Sequence, residues 1–412
     1  MATRGASVGR RGSNRVAAKR TKTQAQVLHP GHPAVLLAMV TAVLVTVGLV
    51  MILSASSVAS FASSGSSFFY FQRQAMWVVI GVIAYLVALK VDYRKLRKLG
   101  YPAVVLSGSL LILVLIPGIG VNISGSSRWI NLGPISFQPS EFAKLALVLF
   151  LAEAYVRKKE NLFSDFSHTA MPFLPGLGLL AVLVMAQPDL GTTMVLAFIG
   201  LGMLFVAGAP LRYVLPLGVG GALLASGAAL SADYRRARVL AFLDPWADPL
   251  NTGYHTIQSL IAVGSGGWFG LGLGASRQKW MYVPNAHTDF IFAILAEEMG
   301  LVGSLTIIGL FSFLAYLGIK TAQRAPDRFG MLVASGITIW VSMQAFVNMG
   351  AVTGSLPITG VPLPLVSFGG TSLLFTLIGM GILTNIAAQG RFPARSSDKG
   401  ADGAGREQSR RG

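Results

Sequence analysis

Apolar stretches long enough to cross a bilayer recur from residue 33 to residue 388, and they constrain this chain more than any other feature. A segment in lipid must satisfy its own backbone hydrogen bonds, so an apolar run of about 20 residues has one practical solution, an α-helix. "PAVLLAMVTAVLVTVGLVMIL", 33–53, is such a run, and others fall near 75–91, 100–117, 140–156, 170–186, 190–208, 211–230, 287–318, 329–351 and 365–388. The pattern predicts an all-α polytopic membrane protein with about ten transmembrane helices. Composition agrees: 12% of the residues are charged, against about 25% in soluble domains. The first run is longer than the roughly 7–15 apolar residues of a secretory signal. It is expected to be retained as a helix, although the small residues of "SASSVAS" follow it.

Charge orients the helices. Of the 33 Lys and Arg, 25 fall on the side of the two termini, seven on the opposite side, and Lys144 within a span. Cytoplasmic loops carry the excess of Lys and Arg, so both termini are expected in the cytoplasm. The same asymmetry accounts for the net charge of +17 without a nucleic-acid partner. The tails, 1–32 and 389–412, are rich in Arg, Gly, Ser and Ala and read as disordered cytoplasmic segments flanking a transmembrane domain, 33–388. Between the seventh and eighth spans lies a large loop, 231–286, with Trp246, Trp268, Trp280 and "TIQSLIAVGSGGWFGLGLG". That is too apolar for a free linker, and the loop is expected to fold back onto the outer membrane surface. Its glycines lack the P-loop pattern and its strand–turn–helix setting, so a nucleotide site is not indicated; flexibility and close helix packing explain them better. The chain has no cysteine, and His255 and His287 lack a ligand pattern, so no metal site is expected.

Few polar residues interrupt the apolar stretches. In "WMYVPNAHTDFIFAILAEEMG", 280–300, Asp289 marks the passage from loop to helix. On an ideal helix Asp289, Ala293, Ala296 and Gly300 share one face, a carboxylate heading a stripe of small residues. Asp is a favoured N-cap, and an acid near lipid is a functional residue by default; the spacing leaves both roles open. Glu297 lies about 12 Å farther along such a helix, too far to form a carboxylate dyad with Asp289. Glu297 and Glu298 are expected to pair with basic or polar partners inside the bundle. "GSSRWINLGPISFQPSEFAKLAL", 125–147, places Arg128 and Trp129 in an outer loop and Glu141 and Lys144 at i and i+3 on the fourth helix, spaced for an ion pair. Arg128 or Lys144 would suit an anionic substrate, while Trp129 on its own suits an interfacial anchor. Asp189 in "QPDLGTT" suits a helix cap or turn. "TGSLPITGVPLPLVSFGGTSLL", 353–374, is uncharged, dense in Pro and Gly, and able to line a cavity.

Four blocks, "RWINLGPISFQPSEFAKLAL", "AQPDLGTT", "RQKWMYVPNAHTDFIFAILAEEMG" and "LPLVSFGGTSLL", resemble the shape, elongation, division and sporulation family, in that order along the chain. The likeness covers most of 33–388 and is closer to the FtsW and SpoVE branches than to RodA; Phe368 stands where a tyrosine is frequent and Thr371 where a serine is. The resemblance implies a bacterial peptidoglycan glycosyltransferase that polymerises lipid II, the undecaprenyl-diphosphate-linked disaccharide pentapeptide, outside the cytoplasmic membrane. It also implies a class B penicillin-binding protein as partner, further division proteins, and a place at the division septum. Asp289 matches the family's essential acid, Trp129 its essential tryptophan, and Glu141 with Lys144 its polar pair on the fourth span. Joining sugars from a diphosphate-lipid donor needs a base for the incoming hydroxyl and cations for the departing charge. Asp289 fits the base, and Arg128, Lys144, Arg277 and Lys279 lie on the same side. No motif demands a cofactor, and a divalent cation is left open. A lipid II flippase would use polar residues on both faces of the membrane, and a scaffold recruiting the penicillin-binding protein would not need Asp289. The clustering of these residues toward the outer half favours the enzyme.

Overall fold

The computed structural model describes residues 32–390 apart from 124–125, 132, 134–135, 158–164, 231–232, 281 and 284. The expectations for the two tails therefore lie almost wholly outside the described residues.

Long apolar runs become helices because each residue added to a helix satisfies one more backbone pair. They are α1 (Pro33–Ser64), α2 (Phe69–Lys90), α3 (Gly100–Leu115), α4 (Pro139–Arg157), α5 (Phe166–Ala186), α6 (Leu190–Val206) and α7 (Leu211–Leu230). After two helices within the large loop, α8 (Asp233–Leu243) and α9 (Tyr254–Ser265), come α10 (Ile291–Gln323), α11 (Arg328–Val352) and α12 (Gly370–Gln389). Six helical segments are long and apolar enough to cross a membrane by length and composition: α1, α2, Tyr93–Leu115 (which ends with α3), α10, α11 and α12. Helix α1 continues through "SASSVAS" to Ser64 and stops at Gly65, whose φ of 71° lets its N–H turn back onto the Phe61 carbonyl.

Around α11 the bundle is most enclosed. It packs against α4, α6, α10 and α12, while α12 packs against α2 and α1. The apolar windows of α11 and α12 are 72% and 83% buried against 17% for α2, which places α2 on the outside of the bundle. Aspartates start two of the helices: Asp189 Oδ1 accepts the Thr192 N–H at the head of α6, and Asp327 Oδ1 accepts the Gly330 N–H at the head of α11.

Two expectations need correction. First, the chain is not purely helical. Between α3 and α4, strands β1 (Gly120–Ile123), β2 (Ser126–Asn131) and β3 (Ser136–Phe137) form an antiparallel sheet in the order β1-β2-β3. Val121 stands opposite Trp129, and Ile130 opposite Phe137. Backbone groups outside helices need partners of their own, and this linker supplies them by pairing with itself. The strands are too short to be distinguished in the sequence from a loop.

Second, the eighth apolar run is not one helix beginning at residue 287. It begins at Ile291 and is broken at Gly300, where φ is 66° and ψ −163°. Segment 266–272 replaces the lost helical bonds. The Leu271 and Gly272 N–H groups donate to the Glu297 and Glu298 carbonyls at 3.0 and 3.1 Å, and those of Leu301 and Val302 donate to the Gly267 and Trp268 carbonyls at 2.9 and 3.1 Å. A Cβ on Gly270 would stand 2.1 Å from the Glu298 carbonyl oxygen, and one on Gly300 2.4 Å from the Gly270 nitrogen. Gly266 and Gly270 of "GSGGWFGLGLG" thus serve close backbone contact with α10, whereas Gly264, Gly267, Gly272 and Gly274 have nothing within 4 Å of an added Cβ. The small-residue stripe shrinks to Ala293 and Ala296, because Asp289 precedes the helix and Gly300 interrupts it.

Candidate active site

Asp289 lies in a turn, half-buried, two residues ahead of α10, whose N-cap position falls on Phe290. The turn is held by its main chain. The Phe368 N–H donates to the His287 carbonyl at 2.9 Å, Ser367 Oγ to the Thr288 carbonyl at 2.6 Å, and Asn348 Nδ2 to the Asp289 carbonyl at 2.8 Å. Three consecutive carbonyls are therefore gripped by α11 and the Pro/Gly-rich segment that follows it. The His287 ring lies 4.6 Å from Tyr70 and 5.5 Å from Phe368, between centroids. Burial lowers its pKa to about 4, so it is neutral at pH 7.

The gripping segment is itself anchored. Asn348 Nδ2 also donates to the Val361 carbonyl at 2.8 Å, and Gln344 Nε2 to the Pro362 carbonyl at 3.0 Å. Ser367 Oγ accepts the Leu363 N–H, and Gln74 of α2 spans the Ser367 carbonyl and the Gly369 N–H. Residues 359–361 form a wall between Asp289 and α6. A Cβ on Gly360 would lie 3.6 Å from Asp289 Oδ2, and one on Gly191 of α6 would lie 2.6 Å from the Thr359 carbonyl oxygen.

The other candidates take distinct places. Arg128, on β2, donates to the Gln187 and Pro188 carbonyls at 3.2 and 2.5 Å and stands 3.7 Å from Asp189 Oδ2. It thereby joins the sheet to the start of α6, one residue from Gly191. Trp129, beside it on β2, is half-buried. Glu141 and Lys144 form a buried ion pair at 2.7 Å, and Lys144 Nζ also donates to Gln344 Oε1 at 2.8 Å. Arg277 is exposed, while its N–H donates to Glu297 Oε1 at 3.0 Å. Lys279 turns inward: its Nζ meets the Gly274 carbonyl at 2.5 Å and Glu298 Oε1 at 3.8 Å, with the side chain 8% exposed. Its expected part in meeting an anionic substrate gives way to fastening the loop, since its charge is directed at Glu298. Glu297 and Glu298 do pair with polar partners, Ser276 and Ser54 among them, and so pin 276–279 to α10 and α1.

The structure therefore links Asp289, the Glu141–Lys144 pair and the start of α6 through α11 and residues 359–368. Gln344 and Asn348, the two amides that make the link, were missed in the sequence. Their signal was present: two carboxamides four residues apart, on one face of an otherwise apolar helix. Among the described residues no group of three or more His, Cys, Asp or Glu could hold a metal ion.

A polytopic helical bundle with a carboxylate held in a non-helical turn defines a class of membrane protein, and comparison with known proteins identifies it. The FTSW_RODA_SPOVE model, described as "Cell cycle protein", matches residues 34–391. Stage V sporulation protein E of Bacillus subtilis is 44% identical, over 87% of this chain and 98% of its own. A protein of Geobacter metallireducens named probable peptidoglycan glycosyltransferase FtsW is 41% identical, over 83% and 91%. The fold is similar to that of rod shape determining protein RodA from Thermus thermophilus, with TM-score 0.64, 29% identity, and coverage of 89% of this chain and 99% of that one. It is also similar to a chain from a structure titled "Structural coordination of polymerization and crosslinking by a peptidoglycan synthase complex", with TM-score 0.70, 34% identity, and coverage of 87% and 98%. The chain belongs to the FtsW, RodA and SpoVE family of cell cycle proteins.

Proposed function

We propose that the chain, a glycosyltransferase of this family, polymerises lipid II at the outer face of the bacterial cytoplasmic membrane, with Asp289 as general base. The observation that carries this reading is the grip on the His287, Thr288 and Asp289 carbonyls, which presents the carboxylate from a fixed non-helical turn beside Gly360. The names of the relatives support the substrate class. In the reaction a sugar hydroxyl of one lipid-linked chain attacks the anomeric carbon of another. A new C–O bond forms with inversion, the bond to the lipid diphosphate breaks, and the hydroxyl proton passes to Asp289. Diphosphate leaves without needing a carboxylic acid to protonate it, so one carboxylate suffices. Arg277, exposed, and Arg128, partly exposed, are the cations suited to the departing diphosphate. Trp129, the neighbour of Arg128 along β2, supplies an aromatic face for the substrate. Lys144 and Lys279 act through their internal contacts.

In this reading the topology follows the charge: ten spans, both termini cytoplasmic, and the loop that carries α8 and α9 outside. The partner in this reading is a class B penicillin-binding protein, which the complex named above supports. The likeness to FtsW proteins favours septal wall synthesis alongside other division proteins.

The test is polymerisation of lipid II by the purified chain in complex with a penicillin-binding protein that has no glycosyltransferase of its own. Wild type is expected to make polymer, and Asp289→Asn, folded and complexed, to make almost none. Full activity of Asp289→Asn would end the base assignment. No polymer from wild type, under conditions that support a homologue, would favour transport or scaffolding instead. Running the assay with and without a chelator decides whether a divalent cation assists.

A further inference from the structure

We propose that Gln344 and Asn348 form an amide clamp that positions Asp289 against the 359–361 wall; its catalytic meaning rests on Asp289 being the base. The two stand one turn apart on α11, and both are buried. Gln344 Nε2 and Asn348 Nδ2 donate to the consecutive carbonyls of Pro362 and Val361, and Asn348 Nδ2 donates in addition to that of Asp289. The turn bearing the carboxylate and the wall facing it are thus fastened to one side chain.

The unsatisfied end of Asn348 supports this reading. Its Oδ1 is buried without a hydrogen-bond partner, an arrangement that costs free energy. Flipping the amide would not help, because the oxygen would then face two carbonyl oxygens. The side chain sits with an unmet acceptor while its nitrogen serves two carbonyls, and such an exception calls for a reason beyond packing.

Gln344 extends the clamp in the other direction. Its Oε1 accepts Trp340 Nε1 at 2.9 Å and Lys144 Nζ at 2.8 Å, and Lys144 closes on Glu141 at 2.7 Å. With both members buried, the ion pair is the far anchor of Gln344 rather than a substrate contact. A disturbance at Lys144 reaches Asp289 through Gln344, α11 and Asn348, so all three are positioning residues.

Two measurements test this. In the lipid II assay on the full complex, Asn348→Asp keeps the shape and leaves at most one hydrogen to donate where the amide donates two bonds. It is expected to lower kcat about a hundredfold, the scale of a misplacement near 1 Å, while KM stays within about twofold of wild type. Unchanged kcat, or a loss confined to KM, overturns the clamp. Should Asn348→Asp fail to assemble, Asn348→Leu, of similar size and with no donor, carries the same comparison. The second measurement needs no turnover. The chain has no cysteine, so Asp289→Cys provides a single thiol for a membrane-impermeant maleimide. Adding Asn348→Asp is expected to speed alkylation about tenfold by freeing the turn; equal rates overturn the clamp. If wild type makes no polymer, the glycosyltransferase reading fails and the thiol measurement still decides the clamp.

Discussion

The segments that carry Asp327 and Asp289, at opposite ends of the bundle, are fastened by different chemistries. At the end where α2, α10 and α12 finish, charged groups bond to one another. Tyr93 Oη donates to Asp327 Oδ2 at 2.6 Å, Arg94 Nε reaches the same oxygen at 2.9 Å, and Arg97 and Arg157 converge on the buried Glu153. At the Asp289 end, neutral amides and a serine hydroxyl bond to main-chain carbonyls. The difference separates a lock from a site. Where helices only need joining, a carboxylate can be committed to a cation and a helix cap. At Asp289, the proposed base, the fold grips the backbone instead.

The strongest test of that contrast removes the charge at each end. Asp289→Asn is expected to lower polymerisation by roughly 10²–10⁴-fold, the usual contribution of a general base, with little change in the melting temperature of the purified complex. Asp327→Asn should do the reverse, leaving the turnover of folded protein near wild type and lowering its stability. If both variants lost activity equally at equal stability, the distinction between lock and site would fail.

A second test concerns the broken helix. Gly270→Ala places a methyl group against the Glu298 carbonyl at a backbone with φ of 80°. It is expected to cost about 1–3 kcal/mol, measured by thermal unfolding in detergent, and to loosen 266–279 ahead of the rest in hydrogen exchange. Gly264→Ala, with nothing within 4 Å of the added carbon, is the control and should be silent.

Smaller effects distinguish the ends by pH. Burial alone would raise the Asp327 pKa, but the Tyr93 hydroxyl, the Gly330 N–H and Arg94 together hold it below the ordinary carboxylate value. Its contribution is present above the unfolded pKa and declines as pH falls through the folded one. Asp327→Ala, which also removes the cap of α11, is expected to cost about 1 kcal/mol at neutral pH and less in acid. His287 behaves differently. Its folded pKa is about 4 against 6.5 unfolded, so the unfolded chain takes up the proton first and stability falls as pH drops through that window. His287→Phe should flatten this part of the stability–pH curve, and an unchanged slope would show that the ring is not held neutral.

The polar residues of the candidate site were legible because single residues announced them. Asp289, Arg128 and the Glu141–Lys144 pair are charges in an apolar chain, and the i,i+3 spacing of the last two anticipated their 2.7 Å contact. Asp189 was expected as a cap or turn residue and caps α6. Lys279 misled because side and sign of charge say nothing about direction, and its ammonium points inward to Glu298. Gln344 and Asn348 went unnoticed because uncharged amides in a helix look ordinary until their partners are known.

The helices themselves belong to the sequence. Long apolar runs have one way to satisfy their backbone in lipid, and that local requirement placed helices along 33–388 from residue order alone. Tertiary structure decided what no periodicity encodes: the sheet that carries Arg128 and Trp129, the break at Gly300 filled by 266–272, and the turn that lifts Asp289 off α10. In each of these a main-chain group finds its partner in a distant segment. Such bonds depend on which segments the fold brings together, and hydropathy records only which segments leave water.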